Sequence, residues 1–180
     1  MIGCMRDAIY WLRVHPVRIV GSVVSRSFES RSPFALVEGI RILNRDVVGE
    51  SEFYFDRIRR ALELVLRYDS PRFQRIQRYI NTIVILSDLP RGSAAWYVIG
   101  AGRCYITPKT IRSTTTNLAR TLVHESIHAR IDKLGVRQSS DRYDRLERRC
   151  AIEEVDFIMR LPQSPELEAW IARRKNAFQK

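Results

Sequence analysis

His124-Glu125-Ser126-Ile127-His128 lies inside a stretch whose residue pattern predicts one continuous helix, from N-cap candidates at 113–117 to about Leu134. Residues four positions apart lie on the same face of a helix, so both imidazoles of this segment can bind one metal ion. Glu125 is about 100° round the helix from His124, which brings its carboxylate near a metal-held water without making it a ligand. The segment therefore predicts a zinc site, with His124 and His128 as ligands and Glu125 as the general base.

The ends of this motif helix are also marked in the sequence. Ser, Thr and Asn side chains at 113–117 offer several N-caps, and Gly135 suits the position after a helix C-terminus. The alternative interpretation of the motif is a helix with two surface histidines. Clear helix ends, directly after a predicted hairpin, favour the metal site.

The residues on either side of the motif helix predict an α+β fold. Helical and alternating apolar patterns follow one another along the chain, and a Gly-rich turn separates two apolar segments as in a hairpin. The arrangement expected is a small mixed sheet packed on the motif helix and on the helix that follows it. The predicted elements are a strand at 40–43, a helix with Ser51 as its N-cap, a helix from Pro71, a strand at 82–86, a hairpin of 96–99 and 103–107, the motif helix, a helix from Asp141 to before Pro162, and a last helix near Ser164.

The chain of 180 residues fits one domain with an extension. Residues 1–35 are interrupted by Pro16, Gly21 and a Ser-rich run, and they are expected to form an N-terminal appendage. Residues 36–180 are expected to form the single folded domain.

A third protein ligand is required, and glutamates on the helix after the motif compete for this role. The remaining histidine, His15, lies in the appendage. If the next helix returns antiparallel, it regains the height of the motif close to Glu147, whereas Glu154 overshoots by about 7 to 9 Å. Both border the apolar face of that helix, while Glu153 points further away. These considerations favour Glu147 and leave Glu154 as the second choice.

The same residues resemble a known family. The motif, followed by Glu147-Arg148-Arg149-Cys150 and by Arg160-Leu161-Pro162, is similar to the pattern of minimal gluzincin-type metallopeptidases, which include the bacterial ImmA/IrrE-like proteins. The likeness covers about residues 80–162. It implies a zincin-like fold, a Zn²⁺ ion held by His124, His128 and Glu147, and hydrolysis of peptide bonds by a zinc-activated water. It also implies that a strand of the hairpin borders the cleft, where a peptide can add as an extra strand, although a hairpin packed on the core explains the pattern equally well.

The sequence also suggests roles for four side chains outside the motif. Tyr143 either polarises the scissile carbonyl or packs in the core, and packing is favoured. Glu154 either orients a zinc-binding histidine or pairs with an arginine. Cys104 and Cys150 are expected to be small core residues.

Charge and cysteine content bear on partners and compartment. The formal net charge of +11 permits nucleic acid or other anionic partners, but the arginines are spread along the chain and mixed with acids, which is typical of solvated helix faces. Three cysteines without metal-ligand spacing indicate reduced thiols in a cytoplasmic protein. No apolar run approaches the roughly 18 residues of a membrane span, and the segment 9–20 lacks a signal-peptide pattern.

The leading hypothesis is therefore a cytoplasmic zinc metallopeptidase that acts on a protein or peptide substrate. The alternative is a non-catalytic, zinc-containing binding or regulatory module, which the charge would allow to associate with nucleic acid. Glu125 favours the first hypothesis, because a purely structural zinc site has no need of a general base.

Overall fold

The computed structural model describes residues 32–45, 50–87, 89, 93–136 and 140–178. These residues form a five-stranded mixed sheet and six helices, which confirms the predicted combination of helices with one small mixed sheet. In chain order the elements are β1 (Phe34–Val37), β2 (Ile40–Asn44), α1 (Ser51–Tyr68), α2 (Ser70–Tyr79), β3 (Thr82–Ile85), β4 (Ala95–Val98), β5 (Arg103–Ile106), α3 (Pro108–Ile111), α4 (Thr115–Lys133), α5 (Ser140–Ile158) and α6 (Pro165–Phe178).

The predicted appendage lies almost entirely outside the described residues, and so does His15. Strand β1 spans the predicted boundary between residues 35 and 36, so the folded part begins before that boundary. Within the described ranges, no helix combines the length and apolar character needed to cross a bilayer.

The sheet has the strand order β1-β2-β3-β5-β4. Its three central strands pair in parallel, and β1 and β4 are added at the two edges in antiparallel orientation. Ile42, Ile83, Cys104 and Tyr97 lie opposite one another across four strands, and all four are buried. Because side chains alternate along a strand, this row defines the face that packs on the helices. Cys104 is thus the core residue that the sequence predicts.

Helices α1, α2 and α4 bury their apolar faces in one core with this side of the sheet. The helical pattern that predicts α1 and α2 is confirmed, because the side chains that define it are buried. They are Phe55, Ile58, Ala61, Leu62 and Val65 on α1, and Phe73 and Ile76 on α2. The contribution of α4 consists of Leu118, Ala119, Leu122, Val123 and Ala129.

Helix α4 has the ends that its sequence predicts. The side chain of Thr114 caps the N-terminus by accepting a hydrogen bond from the backbone N–H of Asn117 at 3.1 Å. After the C-terminus, Gly135 adopts a φ of 69°, which is favourable for a residue without a Cβ. The motif is therefore held in the middle of a capped helix of 19 residues.

Two short elements, β1 and α3, are missing from the sequence-based prediction. Each has four residues, which is too short for a distinct periodic pattern. The predicted N-cap at Ser51 is wrong, because Ser51 is the first residue of α1. Its hydroxyl instead accepts a hydrogen bond from Asn44 Nδ2 at 3.0 Å, which links the helix to β2.

A buried ion-pair network joins α2 to α5 behind the motif helix. Arg72 Nε and Arg75 Nη1 donate to Glu153 Oε2 at 2.9 and 3.1 Å. Arg75 Nε also donates to Ser126 Oγ of the motif at 2.9 Å. The prediction that Glu153 points away from the packed face is wrong, because the arginines of α2 meet it on this side of α5. These ion pairs offset the loss of hydration that burial imposes on the carboxylate of Glu153.

Candidate metal centre

Packing of α4 against α5 brings three of the predicted site residues together. His124 Nε2 and His128 Nε2 are 3.2 Å apart. The carboxylate of Glu147 lies beside both, with Oε2 3.4 Å from His124 Nε2 and Oε1 3.2 Å from His128 Nε2. The two imidazoles and this carboxylate therefore converge on one point.

These separations fit a tetrahedral metal ion. Nitrogen and oxygen ligands at about 2.0–2.1 Å from zinc lie about 3.3 Å from one another when the geometry is tetrahedral. The distance between the two Nε2 atoms is 3.2 Å, and each Nε2 lies 3.2 to 3.4 Å from a different oxygen of Glu147, so the three side chains lie close enough together to share one such ion. They leave one position for another group, as catalytic zinc sites do.

Glu154 contacts the other ring nitrogen of His124. Its Oε1 lies 2.6 Å from His124 Nδ1, and its Oε2 accepts from Arg120 Nη1. A carboxylate in this position would hold the ring so that Nε2 faces His128 and Glu147. Glu154 thus contacts both a motif histidine and an arginine, and its carboxylate lies at Nδ1 of His124, whereas that of Glu147 lies at Nε2.

The general base predicted by the motif lies in the same cleft. Glu125 is buried, and its Oε2 accepts a hydrogen bond of 2.8 Å from the backbone N–H of Tyr97 on β4. Burial raises the pKa of Glu125, while His124 and His128 act in the opposite direction. A raised pKa brings a carboxylate closer to the range in which it can both accept and donate a proton near neutral pH.

The cleft runs between the edge strand β4 and the facing surfaces of α4 and α5. It has a volume of about 320 Å³. Its lining includes Trp96, Tyr97, Arg120, Thr121, His124, Glu125, His128, Tyr143, Glu147 and Glu154. Tyr143 is 42% exposed, so the prediction that it packs in the core is wrong. Its ring lies 6.4 Å from that of His128, at the border of the site.

Cys150 is a second potential donor on α5. Its Sγ lies 3.7 Å from His128 Nε2, and the donor atoms of His124, His128 and Cys150 all lie within 4.8 Å of one another. The side chain is fully buried, as a core cysteine is expected to be, and burial raises the pKa of its thiol. Glu147 fits the third position better, because it contacts both imidazoles and lines the cleft.

Asp132 is a site residue that the sequence analysis misses. Its Oδ2 accepts hydrogen bonds from the hydroxyl of Tyr97 at 3.0 Å and from the backbone N–H of Gly100 at 2.6 Å. These bonds fasten the β4–β5 hairpin to the motif helix one turn beyond His128. The spacing of four residues from His128 is the one sequence signal that could have indicated it.

The protonation of His124 reflects its two carboxylate partners. Burial lowers the pKa of this imidazole, but hydrogen bonds to Glu147 and Glu154 outweigh burial and raise it to about 10. The hydrogen bonds with His124 and His128 in turn lower the pKa of Glu147 against the effect of its own burial. His124 is therefore protonated at neutral pH.

No protein-family model, curated protein or solved structure matches the chain. The interpretation of the site therefore depends on its side-chain geometry and on the motif itself.

The ligand set predicts a graded response of zinc binding to substitution. His128→Ala and Glu147→Ala each remove a donor, so stoichiometric zinc should be lost. Glu154→Gln should retain one zinc with an affinity reduced about 10- to 100-fold, because only the orientation of His124 is affected. Zinc content and competition with a chromophoric chelator measure both effects.

Glu153→Gln is the matched control, since Glu153 neighbours Glu154 on α5 but contacts α2. It should lower the free energy of unfolding and leave zinc affinity unchanged. Zinc retained by Glu147→Ala but lost by Cys150→Ser would contradict the ligand set and make the thiol the third ligand.

The protonation of His124 predicts proton release on zinc binding. An imidazole with a pKa of about 10 is charged at pH 7.5 and must lose its proton to bind metal, so about one proton should leave per zinc bound. Zinc affinity should therefore rise as the pH is raised from 7 to 9. Titration calorimetry in two buffers of different ionisation enthalpy measures the number of protons, and equal heats in both buffers would contradict the prediction.

Proposed function

We propose that this protein is a zinc-dependent metallopeptidase with a zincin-like fold, acting on a protein or peptide substrate. The observation that carries the proposal is the convergence of His124, His128 and Glu147, at separations of 3.2 to 3.4 Å, in a cleft that also contains Glu125. A mixed sheet whose antiparallel edge strand borders the motif helix supports the fold assignment.

The residues present suit hydrolysis assisted by a metal. A zinc ion held by the three side chains would supply Lewis acidity and lower the pKa of a water molecule. The role of Glu125 is to take a proton from the attacking water and to pass it to the leaving nitrogen. The backbone N–H of Tyr97 holds Oε2 of this carboxylate, so Oε1 is the oxygen assigned to the proton.

The free edge of β4 is the proposed binding surface for the peptide. The backbone N–H of Tyr97 points away from β5 but is already bonded to Glu125, so pairing is proposed at Ala95, which shares this direction because backbone groups alternate along a strand. An extended peptide can add to this edge by main-chain hydrogen bonds, next to the metal ligands. Asp132 would hold the strand in place through Tyr97 and Gly100.

The proposed compartment is the cytoplasm. The two cysteines in the described part of the chain, Cys104 and Cys150, are both free thiols, and unpaired buried cysteines are ordinary in a reducing environment.

Glu125→Gln is expected to separate metal binding from hydrolysis. The variant keeps the size and burial of the side chain but cannot accept the proton, so the rate of peptide cleavage should fall by about 10²- to 10⁴-fold. Zinc affinity should change little, because Glu125 is not a ligand. Cleavage of a mixed peptide library, followed by mass spectrometry, measures the activity without a known substrate.

The zinc-free protein and Glu147→Ala serve as negative controls in the same assay. If Glu125→Gln cleaves peptides as fast as the zinc-loaded wild type, the activity comes from a contaminating protease or from a different mechanism. A zinc-loaded wild type that cleaves nothing in the library would favour the second function described next.

The second candidate is a non-catalytic zinc module, and the position of Cys150 favours it. A tetrahedral zinc with one sulfur and one nitrogen ligand places them about 3.6 Å apart, close to the 3.7 Å between Cys150 Sγ and His128 Nε2. If the thiolate took the fourth position beside His124, His128 and Glu147, the site would be closed, as in structural zinc sites.

Cobalt(II) in place of zinc distinguishes the two candidates. An open His₂Glu site predicts a cobalt spectrum without sulfur-to-metal charge transfer, unchanged in Cys150→Ser. A closed site predicts a near-ultraviolet charge-transfer band that Cys150→Ser removes. We expect the first result, and the band in the wild type would overturn the open site.

A further inference from the structure

We propose that the C-terminal helix α6 helps to position His124 in the metal centre. Trp170 packs over Arg120, Arg120 pairs with Glu154, and Glu154 contacts the imidazole of His124. The inference depends on the zinc site proposed above and adds positioning residues that do not touch the metal. Helix α6 follows the motif helix and the ligand helix in the chain, and the inference gives it an influence on zinc affinity.

The link next to the histidine is short and buried. Glu154 is 2% exposed, and its Oε1 lies 2.6 Å from His124 Nδ1. Its other oxygen, Oε2, accepts from Arg120 Nη1. A buried carboxylate needs such a partner, because an unpaired charge in this position would lose its hydration without compensation. Arg120 therefore determines where the carboxylate of Glu154 can lie.

The guanidinium of Arg120 is fixed from two further directions. Asn117 Oδ1 accepts from its Nε at 2.9 Å and from its Nη2 at 2.6 Å. The ring of Trp170 packs over it, with the guanidinium carbon 5.0 Å from the ring centroid. Indole is the aromatic group that attracts a cation most strongly. Arg120 thus has its plane set by one residue of α4 and by one of α6.

Helix α6 also reaches the glutamate directly. Arg174 lies one turn after Trp170, and its Nη2 is 3.8 Å from Glu154 Oε1. On the neighbouring positions of the helix, Leu167 and Ile171 pack against the main apolar core. Trp170 packs against the same core, so it both anchors the helix and contacts the relay formed by Arg120, Glu154 and His124, whereas Leu167 and Ile171 serve as anchors.

The anchoring residues provide a matched control for the test. Trp170→Ala removes the ring over Arg120, Trp170→Leu replaces it with apolar bulk that has no π face, and Leu167→Ala weakens the anchoring of α6 without touching the relay. Zinc affinity is measured on the full-length protein by competition with a chromophoric chelator, and thermal unfolding of the metal-free protein is followed for each variant.

Both substitutions of Trp170 should weaken zinc binding about tenfold, since changes around a metal ligand typically cost 10- to 100-fold. Leu167→Ala should leave zinc affinity within about twofold of the wild type, even where it lowers the unfolding temperature. In the double variant Trp170→Leu/Glu154→Gln, zinc binding should be no weaker than in Glu154→Gln alone, because the relay is already interrupted. Equal effects of Trp170→Leu and Leu167→Ala, or fully additive effects in the double variant, would overturn the inference.

A second measurement keeps this inference separate from the proposed function. The proton between His124 Nδ1 and Glu154 should give a slowly exchanging, downfield proton resonance in the metal-free wild type, and Trp170→Leu should broaden or remove it while Leu167→Ala retains it. Wild-type protein that binds no zinc would refute the proposed function. An unchanged resonance in Trp170→Leu would refute the role of α6.

Discussion

The contact between α4 and α5 is the constraint on which the site depends. Ile127 of the motif packs with Leu146 and Cys150 of α5, and this small apolar cluster fixes the rotation and height of one helix against the other. Glu147 and Glu154 are seven residues apart, or about 10.5 Å along the helix axis. In this arrangement they reach His124 from its two ring nitrogens. A shift of α5 by one residue would separate both carboxylates from the imidazole.

Helix α4 carries different chemistry on each of its sides. The histidines face α5, Glu125 and Asp132 hold the edge strand β4, and Ser126 meets Arg75 of α2. Because it has packing partners all round, its sequence lacks the clear division into apolar and polar faces that a surface helix has. The site residues are therefore positioned by three separate interfaces, and each interface restricts a different side chain.

Local patterns predicted the parts of this site that depend on one helix, and non-local contacts decided the rest. The spacing within the motif is enough to pair His124 with His128, and helix height and phase are enough to bring Glu147 beside them. The same estimate puts Glu154 further along α5, where its side chain reaches the other ring nitrogen of His124. Glu153 and Asp132 lie beyond prediction for a different reason: their partners on α2 and on the hairpin are distant in the sequence.

The charges of the cleft favour the binding of a cation beside His124 and His128. Glu125, Glu147 and Glu154 are gathered around two imidazoles, and the nearby cations Arg120 and Arg174 both lie beside Glu154. In the absence of a metal, the raised pKa of His124 supplies a proton as partial compensation. A divalent ion would replace that proton and compensate more of the carboxylate charge from a single central point. In the described part of the chain, arginines such as Arg72 and Arg75 pair with carboxylates of the chain itself. The high net charge is therefore weaker support for a nucleic-acid partner than the arrangement of the cleft is for a metal ion.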